Sequence, residues 1–128
     1  MLQAGIKGKQ QVTVSEKNSA RTMGSGTLDV FATPAMVALM EETCWKSVQD
    51  ELEEGQGTVG IHLDIAHSAA TPLGMTVICE SELTAVEGRK LTFRVTARDE
   101  KDVIGEGTHL RFIIENEKFQ EKANRKEG

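Results

Sequence analysis

The stretch TPAMVALMEETCWKSVQDELEEGQGTVGIHLDIAH, residues 33–67, sets the architecture predicted for the whole chain. Its first part has apolar residues at helical spacing and begins with Thr33-Pro34. Threonine is a good helix cap and proline fits the first helical position, so this pair predicts a helix start. The pattern continues to about residues 53–54. The second part alternates apolar and polar residues, which predicts a strand over residues 58–67.

On both sides of this stretch the patterns indicate further strands. Weak alternation over residues 9–14 predicts a strand before the helix, and the small, polar residues 15–29 predict a loop or flap. Alternation then predicts strands over residues 74–86, 91–97 and 103–115. The connections between the strands that follow the helix are too short for parallel crossovers, which need a dozen or more residues. The sheet is therefore predicted to be antiparallel.

One helix against one antiparallel sheet predicts an α+β domain of the hot-dog type, in which the sheet wraps around the helix. A chain of 128 residues fits a single domain, so we expect one domain over residues 1–128. Its charged tail, residues 116–128, is predicted to be a short or fraying helix. This strand order leaves an exposed sheet edge that a second copy would cover, so we expect a homodimer or a tetramer built from it.

Composition limits the partners and the compartment. A formal net charge of −5 argues against nucleic acid or an anionic membrane as the main partner. The start lacks the apolar run of a signal peptide, and no stretch is long enough to span a membrane, so a cytoplasmic location is expected. Cys44 and Cys79 fall in apolar patterns and are predicted to be buried and reduced. No residue cluster has metal-ligand spacing, so no metal is expected.

Glu41 is the candidate acid on the helix. At 100° per residue it falls in the middle of the apolar arc, whereas Glu42 points away from it, beside Lys46. A carboxylate on a buried face is costly unless it is hydrogen-bonded or near water. We therefore expect Glu41 to face the sheet and to carry acid–base chemistry, the alternative being an interface or water-bridged acid.

The histidines differ in their predicted surroundings. Period-two alternation places one row of the strand after the helix toward the core and leaves Gly60 and His62 on the opposite face. That row consists of Val59, Ile61, Leu63, Ile65 and His67. His67 ends the row where the chain leaves the sheet, either as a structural histidine or as a catalyst. His109 and Arg111 alternate with apolar neighbours and are predicted to face the surface or an interface.

Four motifs carry a family resemblance. They are VFATPAMVALMEETC, GIHLDIAHSAATPLGMTV, LTAVEGRKLTFRV and IGEGTHLRFII, at residues 30–44, 60–77, 83–95 and 104–114. Together they resemble the fluoroacetyl-CoA thioesterase-like branch of the hot-dog thioesterases. The resemblance implies a catalytic threonine at the helix start, a glutamate two turns later and a histidine in the next strand. Thr33, Glu41 and His67 match these, and Gly60 matches a backbone position near the thioester carbonyl.

The resemblance also implies an activity, namely metal-free hydrolysis of a small acyl-CoA without any cofactor. Glu41 would be the nucleophile or the base for an attacking water, and Arg89, Lys90, Arg111 and Lys118 are candidates for binding the CoA phosphates. Fluoroacetyl-specific members are expected to have an aromatic lid ahead of the helix. Residues 15–29 contain no aromatic residue, which argues against fluoroacetyl specificity. The alternatives are an acyl-CoA hydratase or dehydratase and an acyl-CoA-binding dimer without turnover.

Overall fold

The structure is a computed structural model that describes residues 2–127. Its strands form one antiparallel sheet in the order β1-β3-β4-β5-β2. The strands are β1 (Lys7–Thr13), β2 (Gln56–His67), β3 (Thr76–Glu87), β4 (Lys90–Arg98) and β5 (Val103–Glu115). A 17-residue helix, α2 (Thr33–Gln49), packs on one face of this sheet. The predicted α+β architecture and the order of its elements are confirmed.

The core lies between α2 and the inward rows of the central strands. Alternate residues of β4 face the helix and are fully buried: Leu91, Phe93, Val95 and Ala97. Gly105 on β5 lies against the helix, because a Cβ there would come within 2.6 Å of the Met36 sulfur. This close approach explains a glycine inside a strand. Cys44 and Cys79 are buried in this core and free, as predicted.

Two segments differ from the prediction. Helix α2 ends at Gln49 with Asp50 as its C-cap, and the chain turns before β2, so the acidic residues 51–54 lie outside the helix. The flap, residues 15–29, contains a 3₁₀ turn and a short helix, α1 (Ala20–Met23), which Ser19 caps through its side chain. The tail forms the predicted short helix, α3 (Asn116–Asn124), followed by a 3₁₀ turn.

A β-bulge in β2 changes which residues face the helix. Gly60 pairs with Arg111 and His62 with Leu110, so Ile61 is the extra residue between them. A bulge shifts the alternation by one residue. The predicted row of inward residues is therefore wrong before the bulge: Gly60 faces the helix, and Ile61 is 52% exposed. The row is correct from Leu63 to His67.

Helix α2 does not cover the whole sheet. It packs mainly on β1 and β3 and makes fewer contacts with β2. Within residues 2–127, β2 pairs along one edge only, with β5. The inward side of β2 and its second edge are therefore open in one protomer. None of the helices in the same described part is long and apolar enough to cross a membrane.

Candidate active site

Thr33 and His67 form the first polar cluster, the histidine cluster. Thr33 Oγ1 lies 2.7 Å from His67 Nδ1, and a hydrogen bond whose donor depends on the histidine tautomer joins them. Ala32 occupies the N-cap of α2 without any side-chain cap, so the capping role predicted for Thr33 is wrong. The threonine hydroxyl bonds the histidine instead, because His67, the last residue of β2, lies beside the first turn of the helix.

The environment of His67 keeps its imidazole neutral. Burial lowers the pKa of His67 below its usual 6.5, although a backbone contact with Ala69 acts in the opposite direction. Its Nε2 is buried and has no hydrogen-bond partner among residues 2–127. Thr33 and His67 also line a cavity of about 490 Å³ beneath the flap. An unpaired buried polar atom is uncommon, and this one belongs to a residue that lines a cavity.

Glu41 belongs to a second group, the carboxylate cluster, with Gly60, His109 and Arg111. Glu41 Oε2 lies 4.0 Å from Arg111 Nη1. A Cβ at position 60 would come within 3.0 Å of Glu41 Oε2 and 3.1 Å of His109 Cε1, so a glycine leaves room beside the carboxylate. Glu41 faces the sheet as predicted, but its side chain is 43% exposed, because α2 does not cover β2.

The guanidinium of Arg111 is held on two sides. Its Nε donates to Thr58 Oγ1 at 2.8 Å and its Nη2 donates to the Thr58 carbonyl at 2.9 Å. On the other side, Nη1 lies 3.0 Å from His109 Nε2. The Arg111 side chain is only 7% exposed, so its predicted position on the surface is wrong. Arg111 could therefore contact a substrate only through the small exposed part of its side chain.

His109 is likewise buried, with 1% of its surface exposed, and it faces α2 rather than an interface. The sequence could not indicate this, because both faces of β5 carry large apolar or long side chains. The register resolves it: His109 lies opposite Phe93, and Arg111 lies opposite Leu91. Both of these β4 residues belong to the core.

The two clusters lie far apart within one protomer. Thr33 and Glu41 are eight residues apart on α2, which corresponds to about 12 Å along the helix axis. His67 pairs with Gly105 and Gly60 pairs with Arg111, six residues away on β5, which corresponds to about 20 Å along the strand. The structure thus brings Thr33 to His67 and Glu41 to Gly60 and Arg111, but it does not bring Glu41 to His67.

Of the remaining candidate cations, Lys90 is half-buried at the start of β4, and Arg89 and Lys118 lie on the surface. Arg89 is exposed between β3 and β4, and its carbonyl accepts from the Ile113 amide at 2.9 Å. Lys118 is exposed on α3, which follows β5 directly. Contact of either residue with CoA phosphates stays a prediction. In the described part of the chain, no group of three or more His, Cys, Asp or Glu side chains could hold a metal ion.

The chain has a hot-dog fold, as its strand order and its single long helix show. The histidine and carboxylate clusters lie beside this helix. Comparisons with known proteins narrow this class. The family model of the fluoroacetyl-CoA-specific thioesterase matches residues 14–117. The fluoroacetyl-CoA thioesterase of Streptantibioticus cattleyicolor is 48% identical over 98 residues, which cover 77% of this chain and 70% of that protein.

Solved structures agree. A structure of the fluoroacetyl-CoA thioesterase is 38% identical, with a TM-score of 0.93 and 98% of both chains covered. A threonine-to-serine variant of that enzyme in complex with acetyl-CoA is 37% identical, with the same TM-score and coverage. The chain therefore belongs to the fluoroacetyl-CoA-specific thioesterase family. The predicted hot-dog fold and the predicted class, a thioester hydrolase, are confirmed.

Proposed function

We propose that the protein hydrolyses a small acyl-CoA to the carboxylic acid and CoA, with Glu41, Thr33 and His67 at the reacting carbonyl. The observation that carries the proposal is the half-exposed carboxylate of Glu41. It lies 4.0 Å from Arg111 Nη1 and next to Gly60, where the missing side chain leaves space. Family membership favours hydrolysis over hydration and over binding without turnover. The acetyl-CoA complex of a relative supports a CoA thioester as the ligand.

Two routes fit Glu41. As a nucleophile, its carboxylate attacks the thioester carbon, the C–S bond breaks, and water then hydrolyses the acyl anhydride. As a general base, it takes a proton from a water that attacks the same carbon. Either route needs room between the carboxylate and the carbonyl, and Gly60 provides it. The Gly60 amide is a candidate donor to the carbonyl oxygen.

His67 and Thr33 act on the opposite side of the thioester. When Thr33 donates to Nδ1, the neutral imidazole carries its proton on Nε2 and can donate a hydrogen bond to the carbonyl oxygen or to the sulfur of the departing thiolate, which then takes its proton from water. Thr33 fixes the ring orientation through the 2.7 Å contact. The adjoining cavity is the proposed site of the acyl group, and Thr27, Leu28 and Phe31 are among the residues that line it.

The distance between the clusters calls for a homodimer. Reacting groups must lie about 3–3.5 Å from the substrate atoms, which the histidine and carboxylate clusters of one protomer cannot both achieve on one thioester. Antiparallel pairing of the free β2 edge with a second copy, centred between residues 63 and 64, would place His67 of one protomer near Gly60 of the other. Each site then takes Thr33 and His67 from one protomer and Glu41 from its partner.

Four further expectations belong to this proposal. The enzyme uses no metal and no cofactor besides the CoA of its substrate. It acts in the cytoplasm, where the two buried thiols stay reduced. Its acyl group is small and the enzyme is not specific for fluoroacetyl, because the flap contributes no aromatic side chain. Arg89 at the surface is the proposed contact for the CoA phosphates.

The test is release of CoA thiol from acetyl-, fluoroacetyl-, propionyl-, isobutyryl- and benzoyl-CoA. Glu41→Gln is expected to lower kcat by about 10²–10⁴ on the best substrate. Glu42→Gln is the matched control, because Glu42 is similarly exposed but pairs with Lys46 on the outer side of α2. No turnover by the folded wild-type dimer, or equal rates for Glu41→Gln and wild type, would refute the proposal.

A further inference from the structure

His109 is a buried titratable group for which the proposed reaction has no direct use. It lies on the inward side of β5, and its ring stacks on Phe93 with 6.4 Å between the ring centroids. A buried imidazole is costly unless both ring nitrogens have hydrogen-bond partners. Both do: Nδ1 lies 2.9 Å from the His62 carbonyl and Nε2 lies 3.0 Å from Arg111 Nη1.

These partners define one tautomer. Arginine only donates hydrogen bonds, so His109 Nε2 must accept from Arg111. A carbonyl only accepts, so His109 Nδ1 must carry the proton and donate to His62. Protonation of Nε2 would direct an N–H at the guanidinium and place two cations in contact. Burial lowers the pKa of His109 and the Arg111 charge adds to this effect. The hydrogen bond to His62 and the Glu41 charge oppose it without reversing it, so the ring stays neutral at neutral pH.

The hydrogen bond between His109 and Arg111 engages the side of the guanidinium that Thr58 does not contact. Thr58 accepts from Nε and Nη2, and His109 accepts one of the two Nη1 hydrogens. The second hydrogen of Nη1 is left for Glu41, whose Oε2 is 4.0 Å away. Without the His109 acceptor, one Nη1 hydrogen would lose its partner and the guanidinium would be held from the Thr58 side alone.

We propose that His109 is a positioning residue: its neutral imidazole holds the Arg111 guanidinium in the orientation that fixes the carboxylate of Glu41 at the thioester. The proposal rests on the function proposed above for Glu41. His109 itself does not contact the substrate. Its loss should therefore lower kcat and leave KM nearly unchanged, because Glu41 stays in place but its carboxylate is no longer held in one geometry.

The test compares His109→Phe with His109→Gln. Phenylalanine keeps the ring packing against Phe93 and removes the acceptor, whereas the glutamine Oε1 can replace Nε2 as the acceptor for Arg111. We expect His109→Phe to lower kcat about 10- to 100-fold, as for the loss of one hydrogen bond to a charged group. His109→Gln should recover most of this loss. Equal defects in two folded variants would overturn the proposal.

A double-mutant cycle separates positioning from general damage. In an Arg111→Met background, His109→Phe should change kcat by less than about twofold, because methionine has no donor for His109 and the contact through which His109 acts has already been lost. Independent, multiplicative losses in the double variant would overturn the proposal.

One measurement requires neither turnover nor any variant, because it is made on the wild-type protein. Long-range ¹H–¹⁵N spectra of the wild-type imidazoles should show His109 as the neutral tautomer protonated at Nδ1 at pH 7. A proton on Nε2 would overturn the proposal. If the wild type hydrolyses no thioester but His109 shows this tautomer, the proposed function fails and the contact between His109 and Arg111 stands.

Discussion

The hydroxyl of Thr33 and the imidazole of His67 lie 2.7 Å apart, at the point where the first turn of α2 meets the end of β2. Threonine in this position would ordinarily cap the helix. Here the cap position belongs to Ala32, which makes no side-chain hydrogen bond to the helix. The hydroxyl therefore orients the histidine and contributes nothing to the helix end.

Thr33→Val tests this separation of roles. Valine keeps the shape of threonine and removes the hydroxyl, so His67 loses its orienting partner. We expect kcat to fall by about 10²–10³, whereas Thr33→Ser should retain most of the activity. The free energy of unfolding should change by less than the ~1 kcal/mol typical of a lost helix cap. Urea unfolding of both variants checks this, and a loss of stability without loss of activity would contradict it.

Much of this architecture could be predicted from the sequence, because apolar periodicity reports burial directly. The strand over residues 103–115 was predicted with its observed bounds, and the inward row of β4 is fully buried. The failures have local causes. The bulge at Ile61 breaks an alternation that looks continuous in the sequence. The inward face of β5 depends on pairing with β4, since both of its faces carry large side chains.

The candidate site shows the same limit. Thr33, Glu41 and His67 could be selected from motif and periodicity, but their grouping could not. Helical spacing places Glu41 about 12 Å along the axis from Thr33. It does not show that His67 lies beside Thr33 and Gly60 beside Glu41, because that depends on how β2 pairs in the sheet. Arg111 was expected at the surface or an interface because it alternates with the apolar residues of β5. Its burial depends on acceptors from β2 and β5, which no local pattern reveals.

Gly60→Ala should inactivate the enzyme with little effect on folding. The added methyl would lie 3.0 Å from Glu41 Oε2 and 3.1 Å from His109 Cε1, so the carboxylate must move away from the substrate. We expect kcat/KM to fall at least about 10²-fold, since small misplacements of reacting groups cost that much. Ala66→Val is the control, because it adds bulk to an exposed position of the same strand. Full activity of Gly60→Ala would contradict the assignment.

Both cysteines should be inert toward thiol reagents in the native protein. Burial raises the pKa of Cys44 to about 12 and also raises the pKa of Cys79, so neither forms appreciable thiolate at neutral pH. Ellman's reagent is expected to label neither thiol in buffer and both in denaturant. Rapid labelling of one native cysteine would show that the core opens locally at that position.

The stability of the protein should fall as the pH is lowered from about 7 to about 5. Burial lowers the pKa of both His67 and His109 in the folded state below the 6.5 of the free side chain. Below pH 6.5 the unfolded chain therefore binds more protons than the folded chain, and the free energy of unfolding decreases. Urea unfolding at several pH values checks the slope, which His109→Phe should reduce. An unchanged free energy of unfolding over this range would contradict the neutral, buried state of the two rings.

Complementation between two inactive variants tests the shared site of the proposed dimer. In a mixed dimer of Thr33→Val and Glu41→Gln protomers, one site combines both defects. The other site takes Thr33 and His67 from the Glu41→Gln protomer and Glu41 from the Thr33→Val protomer, so all of its groups are intact. Unfolding and refolding the two variants together should therefore restore activity that neither regains alone. Light scattering should give about 28 kDa, twice the 14.0 kDa of the chain. If each site instead belonged to a single protomer, every site in the mixture would carry one defect and no activity would return.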